Sequence, residues 1–292
     1  MRLIKGYEKQ NHLRQSFNEL AQQTFGIDFE SWYEKGYWTD KYIPYSFADG
    51  DKIIANVSVN LIDVLINGEE KRAIQIGTVM TNPSYRGRGL SRKLMEIILG
   101  EYENTNDFFY LFANQSVLEF YPKFGFKRAA ESQFMLEING EIKTDSKIRK
   151  LNPSVNNDDL QFVDRFVTNR VPISEKFGTV NTKELFMFYC VSAFQDDVYY
   201  VEEEEIIAIS RHQGEELHIF DIVSKSDEVD LRNLVHKIAT EETRKAVFYF
   251  TPGNSSGFKY TTKNDENDVL FIRQRGDIQF PEHFSHPITS KA

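Results

Sequence analysis

The sequence predicts an α+β protein made of two tandem domains, each with a mixed, mostly antiparallel β-sheet flanked by helices. Three features of the 292-residue chain lead to this fold class: alternating segments typical of strands, amphipathic segments typical of helices, and an order of elements that recurs. The length also suits two domains of ordinary size. We expect residues 1–140 to form the first domain and residues 141–292 the second, which ends in a tail.

Helices and strands of the first half are predicted from the spacing of apolar residues. Apolar side chains that recur every three or four positions indicate helices, whereas alternating or unbroken apolar runs indicate strands. Asn67 and Gly68 predict a hairpin turn between two strands. In order, the predicted elements are a helix over residues 8–24, strands over 53–60 and 73–80, a helix that begins near residue 90, a strand over 108–113, a short helix over 116–121 and a strand over 134–138.

The second half repeats this order of elements with one exception. The exception is the glycine-rich loop of the first half, whose place is taken by residues 225–230, with no glycine and three carboxylates. We therefore expect a degenerate copy that binds no phosphate-rich ligand. Its predicted elements are a helix over residues 158–169, hairpin strands over 198–201 and 206–210, a strand over 217–224, a helix over 231–238 and a strand over 246–251.

Net charge differs between the two halves. Residues 1–150 carry 20 basic and 20 acidic side chains, whereas residues 151–292 carry 15 and 24. An acidic surface repels phosphates and nucleic acids, because both are anions. We expect no nucleic-acid partner, and we expect any phosphate-rich ligand to bind in the first half.

Several other features argue against further classes of site. No apolar run approaches the ~20 residues needed to span a bilayer, and the first residues turn polar too soon for a signal peptide. We therefore expect a cytoplasmic protein without a membrane partner. The six histidines lack the spacing of metal ligands, so no metal is predicted. Cys190 lies in an apolar run, which favours a small buried hydrophobe over a nucleophile.

A basic, glycine-rich loop over residues 85–91 lies between a predicted strand and a predicted helix. Free N–H groups at a helix start and the helix dipole both favour a bound anion, and glycine allows the backbone to come close. Arg86, Arg88 and Arg92 add positive charge. Taken alone, the segment fits either a pyrophosphate site or an ordinary tight turn with solvated arginines.

Residues 79–91 resemble the coenzyme-binding motif of the GNAT family of N-acetyltransferases. Arg86, Gly89 and Ser91 occupy the motif positions, and Ser91 replaces the usual Gly or Ala. Residues 114–127 resemble a second segment of the family, in which an Asn is followed by Phe-Tyr and Gly-Phe pairs. Two motifs in the family's order, on matching elements, imply an active GNAT domain in the first half. The repeated order of elements then predicts a degenerate GNAT-like domain in the second half.

The resemblance implies an enzyme that moves the acetyl group of acetyl-coenzyme A to a small-molecule or peptide amine. The backbone of Val79 and Thr81 would pair with the pantetheine arm, and Asn114 would contact the pantetheine or its thioester end. N–H groups across the loop would hold the pyrophosphate. The residues implied to bind the coenzyme are Val79, Thr81, Arg86, Gly87, Arg88, Gly89, Leu90, Ser91, Arg92 and Asn114.

Tyr121 is the candidate general acid. A thiolate leaves when an amine attacks a thioester, and the pKa values of a thiol (~8.5) and a tyrosine (~10) are close enough for proton transfer. Its surroundings alone favour a packing role within the aromatic cluster over residues 120–126. The family resemblance implies the acid role.

No carboxylate stands out as the general base. Glu30, Glu34 and Asp40 lie in an aromatic-rich segment that either lines an acceptor pocket or forms core, but each is more simply a surface charge. The two motifs also resemble the enhanced-intracellular-survival branch of the family, without its third domain, and that branch places its C-terminal carboxylate in the active site. Phe280, Phe284 and Ile288 give the tail over residues 280–292 apolar anchors, so we expect it to cross toward the first domain, the alternative being a frayed end. The branch resemblance implies that Ala292 is a candidate base.

Two classes of function remain open from the sequence. The first is an N-acetyltransferase, which Tyr121 favours, and the alternative is a non-catalytic acyl-coenzyme A-binding sensor or scaffold. A variant of the first uses a longer acyl group. Polyamines, aminoglycosides, amino acids and peptides all remain as acceptors, and acidity of the second half favours a cationic one if that half forms a pocket wall.

Overall fold

The computed structural model describes residues 1–138, 142, 146–226, 228–265 and 267–292. The expected domain boundary between residues 140 and 141, and Asp227 of the acidic loop, lie outside the described residues. Within the described part of the chain, no helix is both long enough and apolar enough to cross a bilayer.

Two β-sheets with flanking helices confirm the predicted α+β class. The strands of the first half are β1 (Arg2–Lys5), β2 (Tyr42–Asp49), β3 (Lys52–Ile66), β4 (Glu69–Thr81), β5 (Phe108–Ala113), β6 (Lys127–Arg128) and β7 (Ser132–Glu137). The later strands are β8 (Ile148–Leu151), β9 (Phe177–Val180), β10 (Val198–Val201), β11 (Ile206–Gln213), β12 (Glu216–Val223), β13 (Lys245–Phe248), β14 (Lys259–Thr262) and β15 (Val269–Gln274). The α-helices are α1 (Asn11–Phe25), α2 (Glu30–Glu34), α3 (Leu90–Tyr102), α4 (Asn157–Thr168), α5 (Lys183–Val191) and α6 (Leu231–Ile238).

Each sheet has one parallel pair of strands in an otherwise antiparallel arrangement. The first sheet has the order β1-β2-β3-β4-β5-β15-β6, with β9 added to β3, and its parallel pair is β4 with β5. The second has the order β14-β7-β13-β12-β11-β10-β8, and its parallel pair is β12 with β13. A helix connects each parallel pair, α3 in the first sheet and α6 in the second, as a parallel crossover requires. The predicted repeat of elements is therefore present.

Each sheet is completed by a strand from the other half of the sequence. β15 pairs along its whole length with β5, and β7 pairs with β13 and β14 of the second sheet. Alternating apolar residues predict that β7 is a strand, but they do not say which sheet it joins, because pairing depends on tertiary packing. The two units thus follow one another along the sequence yet exchange strands in space.

The apolar face that predicts α1 is the face that it buries. Leu13, Phe17 and Leu20 are at most 2% exposed, and Gly26 ends the helix with a left-handed backbone (φ +71°). These side chains join an aromatic core shared with α2, α4 and α5, whereas a separate core lies between the first sheet and α3. Residues of both cores line the cavity described below.

Cys190 is fully buried within α5, as the sequence predicts. Burial raises the pKa of its thiol well above the ordinary value, because an apolar environment disfavours the charged thiolate. The side chain therefore serves as a small hydrophobe in the shared core.

The C-terminal tail packs back across the molecule onto the first sheet, as predicted. Phe284 is buried against Phe177 of β9, with ring centroids 4.5 Å apart. Further along, Gln75 of β4 donates a hydrogen bond of 2.9 Å to the carbonyl of Ser290. Apart from a single short 3-10 turn over Ile288–Ser290, the tail is irregular, in keeping with its prolines. It is an ordered strap that joins the two units.

Candidate active site

Strands β4 and β5 separate part-way along their length. They pair only over residues 73–76 and 108–111; beyond this, the register between β3 and β4 shifts and Thr78 takes a left-handed backbone (φ +48°). Asn56 donates a hydrogen bond of 2.9 Å to the carbonyl of Thr78, and the hydroxyls of Tyr42 and Thr78 lie 2.7 Å apart. These two hydrogen bonds stabilise a β-bulge at Thr78. Beyond the bulge, β4 no longer pairs with β5, and a cleft lies between the two strands.

The loop after β4 leads into a helix start that no side chain caps. The side chain of Asn82 accepts a hydrogen bond of 3.1 Å from the N–H of Ser84 and begins a 3-10 turn over Pro83–Tyr85. Gly87 and Gly89 then take left-handed backbones (φ +76° and +70°), which glycine adopts without a Cβ clash. The first turn of α3 contains no acidic residue and receives no side-chain cap. Its first N–H groups can therefore hold an anion.

Arginines surround this helix start. Arg86 donates through Nε to the carbonyl of Thr81, and Arg88 donates to the carbonyl of Ser84, each at 3.3 Å. Both side chains are exposed, as is Arg92 in the first turn of α3. Their positive charge adds to the positive end of the helix dipole.

Tyr121 is buried beside the cleft, with its ring held by other aromatic rings. It is 4% exposed, and its ring centroid lies 5.2 Å from that of Phe120, 6.3 Å from Phe126 and 6.0 Å from Phe271. Because Phe271 belongs to β15, the second half of the sequence helps to fix this side chain. Burial raises the pKa of the Tyr121 phenol above its ordinary value, so the group stays protonated at neutral pH.

A cavity of about 690 Å³ occupies the cleft and extends to the second unit. Part of its wall comes from the glycine loop and the segment after β5, including Arg86, Ser91 and Asn114. Another part comes from α2 and α5, including Trp32 and Phe188. Tyr121 belongs to the same wall, so the candidate acid, the helix start and an aromatic surface share one space.

Residue Ala292 lines this cavity and lies against Gly77 of β4. A Cβ atom on Gly77 would come within 2.8 Å of the carbonyl carbon and oxygen of Ala292, so only glycine fits opposite it. Tyr189 donates a hydrogen bond of 3.0 Å to the carbonyl of Lys291, and the Lys291 ammonium pairs with Asp268. Contacts from both units thus position the end of the strap.

Comparison with known proteins identifies the first unit. Residues 8–129 match the family model described as an acetyltransferase (GNAT) domain. The chain carries a GNAT acetyltransferase domain. The predicted family resemblance is confirmed for these residues, and the domain supports an acyltransferase.

Solved structures share the fold over both units. A probable N-acyltransferase from Enterococcus faecalis V583 has a TM-score of 0.61 at 14% identity and covers 94% of this chain and 72% of its own. A GCN5-related N-acetyltransferase from Kribbella flavida has a TM-score of 0.58 at 14% identity, with coverages of 94% and 71%. Eis1 from Mycobacterium abscessus has a TM-score of 0.57 at 11% identity, with coverages of 94% and 74%. At these identities the likeness concerns the fold; no curated protein matched the sequence significantly.

The GNAT motif residues divide into two groups in space. Leu90 packs its side chain into the core, which leaves only its backbone for a ligand. Oδ1 of Asn114 accepts hydrogen bonds from the N–H and hydroxyl of Ser116 at 3.0 and 2.6 Å, so its amide nitrogen is the group that can donate. The predicted residues in the cavity wall are Val79, Thr81, Arg86, Ser91, Asn114 and Tyr121. The others form the loop and the start of α3 and are Gly87, Arg88, Gly89, Leu90 and Arg92.

The contribution of the second half to this cavity was missed by sequence reasoning. Leu185, Phe188 and Tyr189 of α5 line it, and no local motif marks them, because they reach the site only through packing of the two units. The aromatic segment of the GNAT domain both contributes to the core and lines this cavity. Phe29 and Trp32, for example, belong to the core and also line the cavity.

The carboxylates considered as general bases are engaged elsewhere or lie outside the cavity. Glu30 pairs with Arg14 at 2.8 Å, and neither Glu34 nor Asp40 lines the wall. Among the described lining residues there is no Asp or Glu side chain. The charge-based expectation of a cationic acceptor therefore finds no support in this wall, since the acidic residues of the second half lie on other surfaces.

The helix start in the second unit differs from that of the GNAT domain. The carboxylate of Asp230 caps α6 and accepts hydrogen bonds from the N–H groups of Arg232 and Asn233 at 3.0 and 3.1 Å. A capping carboxylate stabilises the helix, but it occupies N–H groups that would otherwise meet an anion and adds a negative charge there. The Asp230 carboxylate therefore occupies the N–H groups that a phosphate would need at the start of α6.

The strap fills the space beside the parallel pair of the second sheet. The N–H of Ile288 donates a hydrogen bond of 3.1 Å to the carbonyl of Tyr249, just after β13. The Thr289 hydroxyl bonds to Asp221 of β12, which also pairs with Arg170 at 3.0 Å. A segment of the chain itself therefore lies where the GNAT domain has its open cleft.

Proposed function

We propose that this protein transfers the acetyl group of acetyl-coenzyme A to a primary amine by direct attack, with Tyr121 as the general acid. The observation that carries this proposal is the single cavity that joins an uncapped helix start, the separated strands β4 and β5, and the Tyr121 side chain. A sensor without catalytic activity would not need a buried, protonated phenol in the wall of its ligand cavity.

The residues of the loop fit the chemistry of the coenzyme. The N–H groups over residues 87–92 would bind the pyrophosphate, supported by the arginine charges. The exposed edge of β4 after its separation from β5, at Val79 and Thr81, would pair with the amide groups of the pantetheine arm. The Asn114 amide would donate to the arm close to the thioester.

The proposed transfer has a simple proton balance. The amine nitrogen forms a bond with the acetyl carbon, the carbon–sulfur bond breaks, and the leaving sulfur takes a proton from the Tyr121 phenol. The amine gives up one proton to a base, and solvent restores the phenol. The buried phenol of Tyr121, whose pKa burial raises, is protonated at neutral pH and so has a proton to donate.

The base we propose is a carboxylate at residue Ala292. A terminal carboxyl group on this residue would lie against Gly77 in the cavity that contains Tyr121. No Asp or Glu side chain of the described residues lines that cavity. The strap would therefore supply a negative group that the walls lack.

Extension of the chain by one glycine after Ala292 is expected to lower kcat roughly 10²-fold, the scale of general acid–base catalysis, because the carboxylate moves away from Gly77. Coenzyme affinity, measured by calorimetry, should not change. Removal of residues 289–292 should lower both kcat and the melting temperature, since it also breaks the Ser290 contact with Gln75. Unchanged turnover in the extended protein would exclude Ala292 as the base.

Calorimetry should find one acetyl-coenzyme A bound per chain. The second unit has a carboxylate cap on α6 and a cleft filled by the strap, so it should bind none. A stoichiometry of two would contradict this part of the proposal.

Release of thiol from acetyl-coenzyme A with a panel of amines tests the function itself. Amine-dependent release is expected. Binding of acetyl-coenzyme A without release by any amine would favour the acyl-coenzyme A sensor instead, and a strong preference for longer acyl groups would change the donor.

A further inference from the structure

We infer that the acceptor is a primary monoamine with an apolar body, aromatic or alkyl, and not a polycation. This inference rests on the proposed function and adds the class of acceptor to it. It is drawn from three features of the cavity. Its wall is aromatic, the charged side chains of that wall within the described residues are basic, and its rim carries exposed apolar side chains.

Aromatic side chains of both units form one continuous surface in the cavity. The rings of Phe29 and Phe188 stack with centroids 5.4 Å apart, and Trp32 meets Phe188 edge-on at 5.8 Å. Tyr42 stacks on Phe29 at 5.7 Å, and Leu185 adds an aliphatic side chain to the same wall. When an apolar group of a ligand is buried against such a surface, the free energy of the complex falls. The faces of the rings also tolerate a single ammonium group.

The charged side chains in the described part of the wall are positive and would repel a polycation. The two that line the cavity within the described residues are Arg86 and Lys291, both basic. Nearby carboxylates already have cationic partners: Glu184 pairs with Lys41, and Glu30 with Arg14. The one carboxylate proposed for this cavity, at Ala292, is taken up by the reacting amine. A second ammonium group on the acceptor would therefore lose water without gaining a counter-charge, which is unfavourable.

The rim of the cavity continues the apolar path. Phe25 at the end of α1 and Ile27 just after it line the cavity while 41% and 36% exposed. Gly26 between them has the left-handed backbone that ends the helix and turns the chain at this point. Large apolar side chains left exposed at the mouth of a cavity are typical of a site for an apolar ligand. An apolar body could thus extend from the thioester toward solvent without leaving apolar contact.

The comparison of matched amines tests this inference. With acetyl-coenzyme A as donor, kcat/KM for phenethylamine and hexylamine should exceed that for putrescine and spermidine by ~10-fold or more, the discrimination expected of an apolar pocket. A preference for spermidine or for an aminoglycoside such as kanamycin would overturn the inference and leave the proposed function standing. Equal rates with polar amines, together with a strong preference for long acyl-coenzyme A donors, would place an acyl chain in the cavity and also overturn it. Failure of every amine to release thiol would overturn the proposed function and the inference with it.

A variant at the rim adds an independent test with little risk to the fold. Phe25→Glu places a carboxylate at the mouth of the cavity, where the native side chain is already exposed. The ratio of kcat/KM for phenethylamine to that for putrescine should fall ~10-fold or more. Ile148→Glu, at a site of similar exposure (39%) on β8 of the other sheet, is the control and should leave the ratio unchanged. An unchanged ratio in Phe25→Glu, or an equal change in both variants, would contradict an acceptor that contacts this rim.

Discussion

Gly89→Glu is expected to abolish acetyl-coenzyme A binding in a protein that still folds. The new side chain would stand at the N-terminus of α3, where its carboxylate would compete with the pyrophosphate for the helix N–H groups. The left-handed backbone of this residue (φ +70°) would cost about 1–2 kcal/mol with a side chain present, less than the stability of a typical domain. Calorimetry gives the affinity, and circular dichroism checks the fold.

Gly214→Glu is the matched control for this variant. Gly214 has a similar left-handed backbone (φ +60°) in the exposed turn between β11 and β12, with open space around it. This variant carries the same strain and charge far from the GNAT loop and should bind acetyl-coenzyme A as the unmodified protein does. If Gly89→Glu retains full affinity, the pyrophosphate does not lie at the start of α3.

Tyr121→Phe is expected to lower kcat by roughly 10²-fold or more, because it removes the proton donor and keeps the ring. Packing against Phe120, Phe126 and Phe271 should persist, so coenzyme affinity and melting temperature should change little. Steady-state kinetics with saturating amine measures kcat directly.

Tyr7→Phe provides the control for loss of a buried tyrosine hydroxyl. Tyr7 is 1% exposed, donates or accepts a hydrogen bond of 2.7 Å with Ser46, and lies outside the cavity wall. We expect it to change stability but not kcat. A Tyr121→Phe enzyme with near-normal kcat would reduce Tyr121 to a packing residue.

The parts of the site that the sequence predicts are those encoded by contiguous residues. The glycine loop and the start of α3 follow from glycine spacing, arginine charge and a single amphipathic helix, all within residues 85–98. Tyr121 follows from a second short segment, and β5 from one apolar run that the structure reproduces residue for residue. Local patterns suffice here because the chemistry depends on local backbone geometry.

The parts that the sequence does not predict arise from contacts between distant residues. Phe188 reaches the cavity only because α5 packs against the aromatic core of the first unit. Phe271 supports Tyr121 only because β15 pairs with β5. In that pairing Phe271 lies opposite Leu111, which is 160 positions earlier in the sequence. Apolar alternation is the same whichever sheet a strand joins, so no local pattern distinguishes these outcomes.

The position of Ala292 combines both kinds of information. Prolines and apolar anchors predict a tail that crosses the molecule, and Gly77 in β4 leaves the space that its end occupies. The sequence alone does not reveal that space, because Gly77 lies within an otherwise ordinary strand pattern. The structure explains the glycine as a site of close backbone approach.

The most direct test of acetyl transfer follows an isotopic label from donor to product. Acetyl-coenzyme A labelled in its acetyl group is incubated with the protein and phenethylamine, and the products are identified by mass spectrometry. The account predicts that the label appears in the amide of the amine, in an amount equal to the thiol released. Label found only as free acetate, or only attached to the protein, would contradict direct transfer to an amine.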